Sequence, residues 1–405
     1  MAAGTTAQTA PAQEAGRPQP QTTVEAAGGP FIRHSQPGRA PIYNVTGGAF
    51  GGILTQPLVA RPGYFRNFRV THTTTTGGTL TSGTLQPDAP FNLNALIQLK
   101  DAFGTPLIVC PGYEAAQLIP TLSGGFGLLN GTNVGANLPS NAAFSPTTGV
   151  GQFSYALPLE FAKAYGVLSA ANASLLPTLQ FNYNSVTAMF SGSVTGTSPT
   201  IGTQVDTDFY WLPEGVAVEP PGLGTTRQWI LQQANPAIPA STAARVQFPR
   251  LGGYLDTIAI EMRDSTAARN GTYWPSRLQL YVDGVPMIDS TMGEVFDDMA
   301  IGFGLTAAQI GWGSSGAGSL PAAVTPTYAN QNLGGVVAFS RKTSLNQVSL
   351  GLLDTGEAYL STNPGTLLEA NFAPSGAGSN SPATASILVG QIVPTGAVIQ
   401  GLPEV

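Results

Sequence analysis

Two stretches of this chain, offset by roughly 180 to 190 residues, carry the same elements in the same order. The first has Tyr64 to Thr71, then Leu96 to Lys100 and Pro106 to Ile108 flanking a turn from Asp101 to Gly104, then Thr178 to Phe181. The second has Tyr254 to Glu261, then Leu278 to Val282 and Val285 to Ile288 flanking Asp283 and Gly284, then Thr366 to Phe372. Each set reads as a strand, a hairpin whose second arm begins Pro-apolar-Ile, and a closing Thr-Leu strand. The offset is the length of one β-sandwich with long loops, so a duplicated β-domain is expected.

The rest of the sequence agrees with that reading. Gly (50 residues) and Pro (33) break helices but serve turns, which favours many short strands joined by turn-rich loops. The Asp283-Gly284 turn is the strongest hairpin signal in the chain, since a two-residue type I′ turn needs φ > 0 at both positions. Phe153 to Phe161 alternates in period two, with Pro158 pointing to an edge or a bulge. Thr291 to Glu294 is a capping box that opens a short helix with Val295, Phe296 and Met299 on one side. A second helix is expected at Thr225 to Gln233, around Trp229, between the domains.

The expected fold is all-β: two tandem β-sandwiches with short helices in loops and an N-terminal arm. Its boundaries are 1–50 for the arm, 51–222 for the first sandwich, 223–247 for an inter-domain helix or linker, 248–375 for the second sandwich and 376–405 for a C-terminal tail. The first thirty residues have too little apolar surface to build a core. Phe31, Ile32, Ile42, Tyr43 and Phe50 then punctuate a Gly/Pro background and are expected to order by clipping onto another surface. The tail contains an apolar run, Ile387 to Ile399, suited to docking.

Charge narrows the function. Only 9% of residues are charged, against about 25% in an ordinary soluble domain, which suits a protein packed against copies of itself. The net charge of −6 and the scattered basic residues exclude a phosphate-neutralising patch, so no direct nucleic-acid binding is expected. One cysteine, Cys110, rules out an internal disulfide framework. No apolar run approaches the length of a membrane-spanning helix, and no secretory signal is visible, so synthesis in a host cytoplasm is expected.

Catalytic signatures are weak. His34 and His72 have no Cys or acidic partners at zinc spacing, and no nucleophile elbow or phosphate loop occurs. Glu261 with Asp264, and Glu294 with Asp297 and Asp298, are the only paired carboxylates to weigh for glycoside chemistry. The plainer reading gives Glu294 to the cap and the two aspartates to a solvated helix face. No enzyme activity, cofactor or metal is expected.

Phe68 to Thr71, the Leu96 to Ile108 hairpin, Phe153 to Leu159, Tyr254 to Ala259 and the Val336 to Phe372 segment, taken in order, resemble the major capsid protein of tectiviruses. That family belongs to the double jelly-roll lineage shared with the adenovirus hexon, so the resemblance implies two tandem eight-stranded jelly-roll β-sandwiches, the first jelly roll over 51–222 and the second over 248–375. The resemblance implies a bacteriophage coat protein: a homotrimer forming a pseudo-hexagonal capsomer in the icosahedral virion, over an internal membrane. It also implies contacts with neighbouring capsomers and with minor capsid and vertex proteins, and an inward arm near the membrane. The competing readings are a bacterial surface or fibre β-sandwich protein (adhesin or S-layer type) and, third, a glycoside-active β-sandwich enzyme.

Overall fold

The computed structural model describes most of residues 29–394. Outside the description lie 1–28, 395–405, the stretches 81–85, 124–140, 145–150, 171–175, 190–193, 239–243, 249–252, 264–268, 271–276, 306–314, 317–332, 341–359, 362–366 and 373–382, and a few positions of one to three residues between strands.

Eight main strands build the first half: β1 (Gln36–Ala49), β2 (Ile53–Pro57), β3 (Tyr64–Thr75), β4 (Asn94–Lys100), β5 (Pro106–Cys110), β6 (Gly151–Pro158), β7 (Thr178–Tyr183) and β8 (Thr200–Trp211). They form two facing sheets, ordered β1-β8-β3-β6 and β2-β7-β4-β5. Eight more build the second half: β9 (Thr225–Gln233), β10 (Ala244–Phe248), β11 (Tyr254–Arg263), β12 (Arg277–Val282), β13 (Val285–Thr291), β14 (Val336–Ser340), β15 (Leu368–Phe372) and β16 (Ala383–Pro394). Their sheets are ordered β9-β16-β11-β14 and β10-β15-β12-β13, the same sequence of pairings again. Two jelly rolls in tandem are therefore present.

The repeat extends to irregularities that no composition argument could foresee. In the first half β8 and β3 pair as Asp208 with Asn67 and then Phe209 with Phe65, skipping Arg66. In the second half β16 and β11 pair as Gly390 with Thr257 and then Gln391 with Leu255, skipping Asp256. The two hairpins bulge at matching places as well. Leu99 pairs with Ile108 and Lys100 with Pro106, while Leu280 pairs with Ile288 and Tyr281 with Pro286. Each bulge shifts which side chains face inward. Phe65, Phe68, Val70 and His72 line one core, and Leu255, Ile258, Ile260 and Met262 line the other.

His72 thus occupies the core place that Met262 fills in the second half. Its Nδ1 lies 2.9 Å from the Thr203 hydroxyl, and its Nε2 lies 3.1 Å from both the Tyr155 hydroxyl and the Asn94 amide. Burial pushes its pKa down to about 3, so it is a neutral core side chain. His34 is exposed on a short helix, α1 (Gly29–His34).

Three expectations are corrected. Thr225 to Gln233 is strand β9, not a helix; it is covered on both faces, so its sequence shows no alternation to read. The segment 29–50 is not a free arm, because β1 pairs with β8 from Gln36–Trp211 to Ala49–Thr200. The tail assigned to 376–405 contains β16, which runs between β9 and β11 in the middle of a sheet. The first jelly roll's strands accordingly span 36–211 and the second's 225–394.

Among the described residues no helix is long and apolar enough to cross a membrane. The capping box is formed: the Glu294 carboxylate accepts the Thr291 N–H at 2.7 Å and opens helix α2 (Met292–Phe303). This helix follows β13 as a helical segment, Glu114–Leu118 continuing into Ile119–Leu122, follows β5 in the first half.

Candidate assembly site

The two jelly rolls are joined through strand edges. β5 of the first pairs in parallel with β9 of the second, Ile108 beside Trp229 and Val109 beside Ile230. The inner sheets of both halves thereby become one continuous sheet. Trp229 is fully buried at this junction and lies on Gly390, where an added Cβ would come within 2.8 Å of the indole. Arg227 stacks 4.4 Å over the same ring and pairs with the buried Asp256. A large flat side chain seated on a glycine makes the seam tight.

Beside the strand junction is a buried polar cluster built from both halves. Asp88, in the loop before β4, pairs with Arg263 at 2.5 Å and with Arg269 at 2.7 Å. Arg263 also reaches Glu261 at 2.6 Å. The Arg269 guanidinium lies 4.1 Å over the Tyr113 ring and donates to the Gly334 carbonyl at 2.9 Å. Burial pushes the Asp88 carboxyl up, but Arg269 and Arg263 outweigh it and hold it below its usual range. Glu114 and Glu261 go the other way: burial raises both, and Arg263 only partly offsets this.

The sequence reading set Glu261 aside as one of a pair of carboxylates, and it missed Asp88, Glu114 and Arg269 altogether. The available signal was Glu261 and Arg263 alternating with apolar residues inside a strand, which places charge where the fold buries it. Asp264 lies outside the described residues; Asp297 and Asp298 are exposed on α2. Among the described residues no group of His, Cys, Asp and Glu could hold a metal ion. Trp211 is partly exposed, and Trp274 and Trp312 lie outside the described residues.

The apolar residues expected to clip onto a neighbour lie on their own jelly roll. Phe31 is buried edge-on against Tyr64 and Tyr210, with ring centroids 5.5 and 5.4 Å apart, and Ile32 packs beside it. Ile42 enters the main core, with Tyr43 and Phe50 packed against it. At the first hairpin the Asp101 carboxylate accepts the N–H groups of Phe103 and Thr105, and Gly104 has φ 84°. At the second, Asp283 and Gly284 have φ 50° and 81°, and Leu367 N–H donates to the Asp283 carboxylate at 2.8 Å.

Each half owns the same two edges, yet they are covered differently. β5 is largely buried, while its counterpart β13 is exposed at Val285, Pro286, Met287 and Asp289. β9 is buried from Thr226 to Trp229, while its counterpart β1 is exposed or half-exposed at every position except Ile42. One chain therefore contains one satisfied copy of this edge contact and, at its two ends, the unsatisfied halves of another.

No protein-family model and no curated protein matches the sequence. Among solved structures, the chain is similar to the major capsid protein of Sulfolobus turreted icosahedral virus. The TM-score is 0.54 at 14% identity, over 89% of this chain and 97% of that one. In the atomic structure of the whole virus the same likeness has a TM-score of 0.54 at 14% identity, over 89% of this chain and 91% of that one. The PBCV-1 virus capsid gives a TM-score of 0.51 at 11% identity, over 89% and 94%. At such identities the likeness is one of fold. Strand order, repeat and comparison agree: this chain has the double jelly-roll fold of those viral capsid proteins.

Proposed function

We propose that this chain is the major capsid protein of an icosahedral virus and that it acts as a homotrimer with a pseudo-hexagonal outline. The observation that carries the proposal is the half-used edge contact: β5 against β9 within the chain, and β13 and β1 left exposed at its ends. An exposed strand edge is a template for pairing. A head-to-tail contact of this kind closes into a ring when its rotation permits, and otherwise runs on as a filament. Three chains of two like domains give six domains around the ring, each meeting the next through the same pair of edges. The low charge of the sequence supports extensive burial between copies.

The solved structures of like fold are capsid proteins, which supports a place in a virion shell with neighbouring capsomers as partners. A tectivirus-type phage, minor and vertex partners, and an internal membrane beneath the shell enter the proposal through the sequence resemblance alone.

Sedimentation and native mass spectrometry of the purified chain test the proposal. The expected species is three times 41.6 kDa, seen as flat hexagonal particles by electron microscopy. A stable monomer at micromolar concentration, or an open filament, overturns it.

A further inference from the structure

We infer that subunits pair in a defined register, with Arg39 and Ala40 of one copy lying parallel to Ile288 and Asp289 of a second copy. The inference rests on the ring reading above and adds the residues, the strand direction and the charge logic of the contact.

The register follows from the two matched sets of bulges. In the second half the cross-sheet row through the seam is Trp229, Gly390, Thr257. In the first half the row at the same distance from the same bulge is Arg39, Asp208, Asn67. Arg39 therefore stands where Trp229 stands, and Ala40 where Ile230 stands. On the other side of the seam the row is Leu179, Leu99, Ile108, and its counterpart is Ala370, Leu280, Ile288. Transferring the pairs Trp229–Ile108 and Ile230–Val109 gives Arg39–Ile288 and Ala40–Asp289.

The first-half edge suits so short a pairing. Pro37 and Pro41 lack N–H groups and bracket Gly38 to Ala40, which keeps a pairing there short, as only two residue pairs join inside the chain. The edges are also complementary in charge. The β1 side presents Arg33, His34 and Arg39, with Arg69 behind, and Asp208 anchors Arg39 and Arg69 at 2.7 and 3.3 Å. β13 carries Asp289, paired with Arg277, and the helix α2 that follows it exposes Glu294, Asp297 and Asp298. The internal seam buries its aromatic and charged groups, whereas the edges assigned to the contact between copies carry exposed charges. Charged contacts add specificity to a contact that must form between separate molecules.

Cysteine pairing tests the register. Under mild oxidation the chain carrying both Ala40→Cys and Asp289→Cys should give covalent dimers and ring-closed trimers on a non-reducing gel. Each single variant, and Ala40→Cys combined with Val285→Cys, should give none; native Cys110 is buried and does not compete. Trimers by sedimentation without these cross-links would overturn the register while leaving the trimer standing. Monomers by sedimentation would overturn both. The charge argument has its own test in Asp297→Arg with Asp298→Arg, which alters exposed helix positions only. This chain should dissociate at a protein concentration about tenfold or more above wild type, and unchanged dissociation would overturn the electrostatic account.

Discussion

The Asp88 carboxylate accepts the Arg269 Nε–H at 2.7 Å, with both side chains buried and each contributed by a different jelly roll. Together with Arg263 it fixes the first domain's loop before β4 to the end of β11 in the second. Removing one partner of a buried pair leaves an uncompensated charge, which costs about 3–5 kcal/mol, whereas replacing the whole group with apolar residues can be nearly neutral. Asp88→Ala should therefore lower the melting temperature sharply. The double change Asp88→Leu with Arg269→Met should lower it by less than the sum of the single changes, as read by calorimetry.

The Glu114–Glu261 pair predicts an opposite dependence on pH from Asp88. Burial raises both glutamates above the ordinary carboxylate value of 4.5, so the folded chain holds their proton more tightly than the unfolded chain does. That contribution to stability is full at acid pH and is lost as pH rises above about 4.5 towards the raised values. Asp88 is held below its ordinary value of 3.8, so its contribution is present above that pH and lost as pH falls below it. Glu261→Gln keeps the shape without the titration and should flatten the fall in melting temperature as pH rises above about 4.5. A wild-type chain whose melting temperature stays level as pH rises above about 4.5 would contradict the raised glutamates.

Gly284 offers a backbone test free of packing effects. Its φ is 81°, and an added Cβ would meet nothing within 4 Å. Gly284→Val should therefore cost about 1–3 kcal/mol through strain alone, and Gly284→Asn, which tolerates the left-handed region, should cost less. Equal melting of wild type and the valine variant would mean that the hairpin turn is not held in this conformation.

Deleting residues 1–50 should abolish the folded first jelly roll, because it removes β1 from beside β8 and Phe31 from between Tyr64 and Tyr210. The expected readout is loss of the cooperative thermal transition. A truncated chain that melts like wild type would show that β1 is dispensable to the fold.

Much of this architecture was legible from local pattern. Tyr254 to Met262 and Phe153 to Pro158 alternate, Asp283-Gly284 supplies the one dipeptide suited to its turn, and Thr291 with Glu294 announces a helix start. Such signals depend on neighbours within a few residues, so they survive without knowledge of the fold. The repeated order of strand, hairpin and closing strand added the tandem arrangement.

The sequence by itself determined the strand-rich class, the duplication, the turns and the scarcity of charge. Tertiary structure alone decided three things. β16 pairs with β9 and β11, more than 120 residues before it in the chain, so its apolar residues looked like a tail. β9 lies inside a continuous sheet between β5 and β16, and its burial from Thr226 to Trp229 erased the alternation that would have marked it as a strand. The seam cluster gathers Asp88, Glu114, Glu261, Arg263 and Arg269 from segments up to 181 residues apart. Long-range pairing and charge balance are properties of what meets in space, and nothing in the local sequence around each of these residues records its partner.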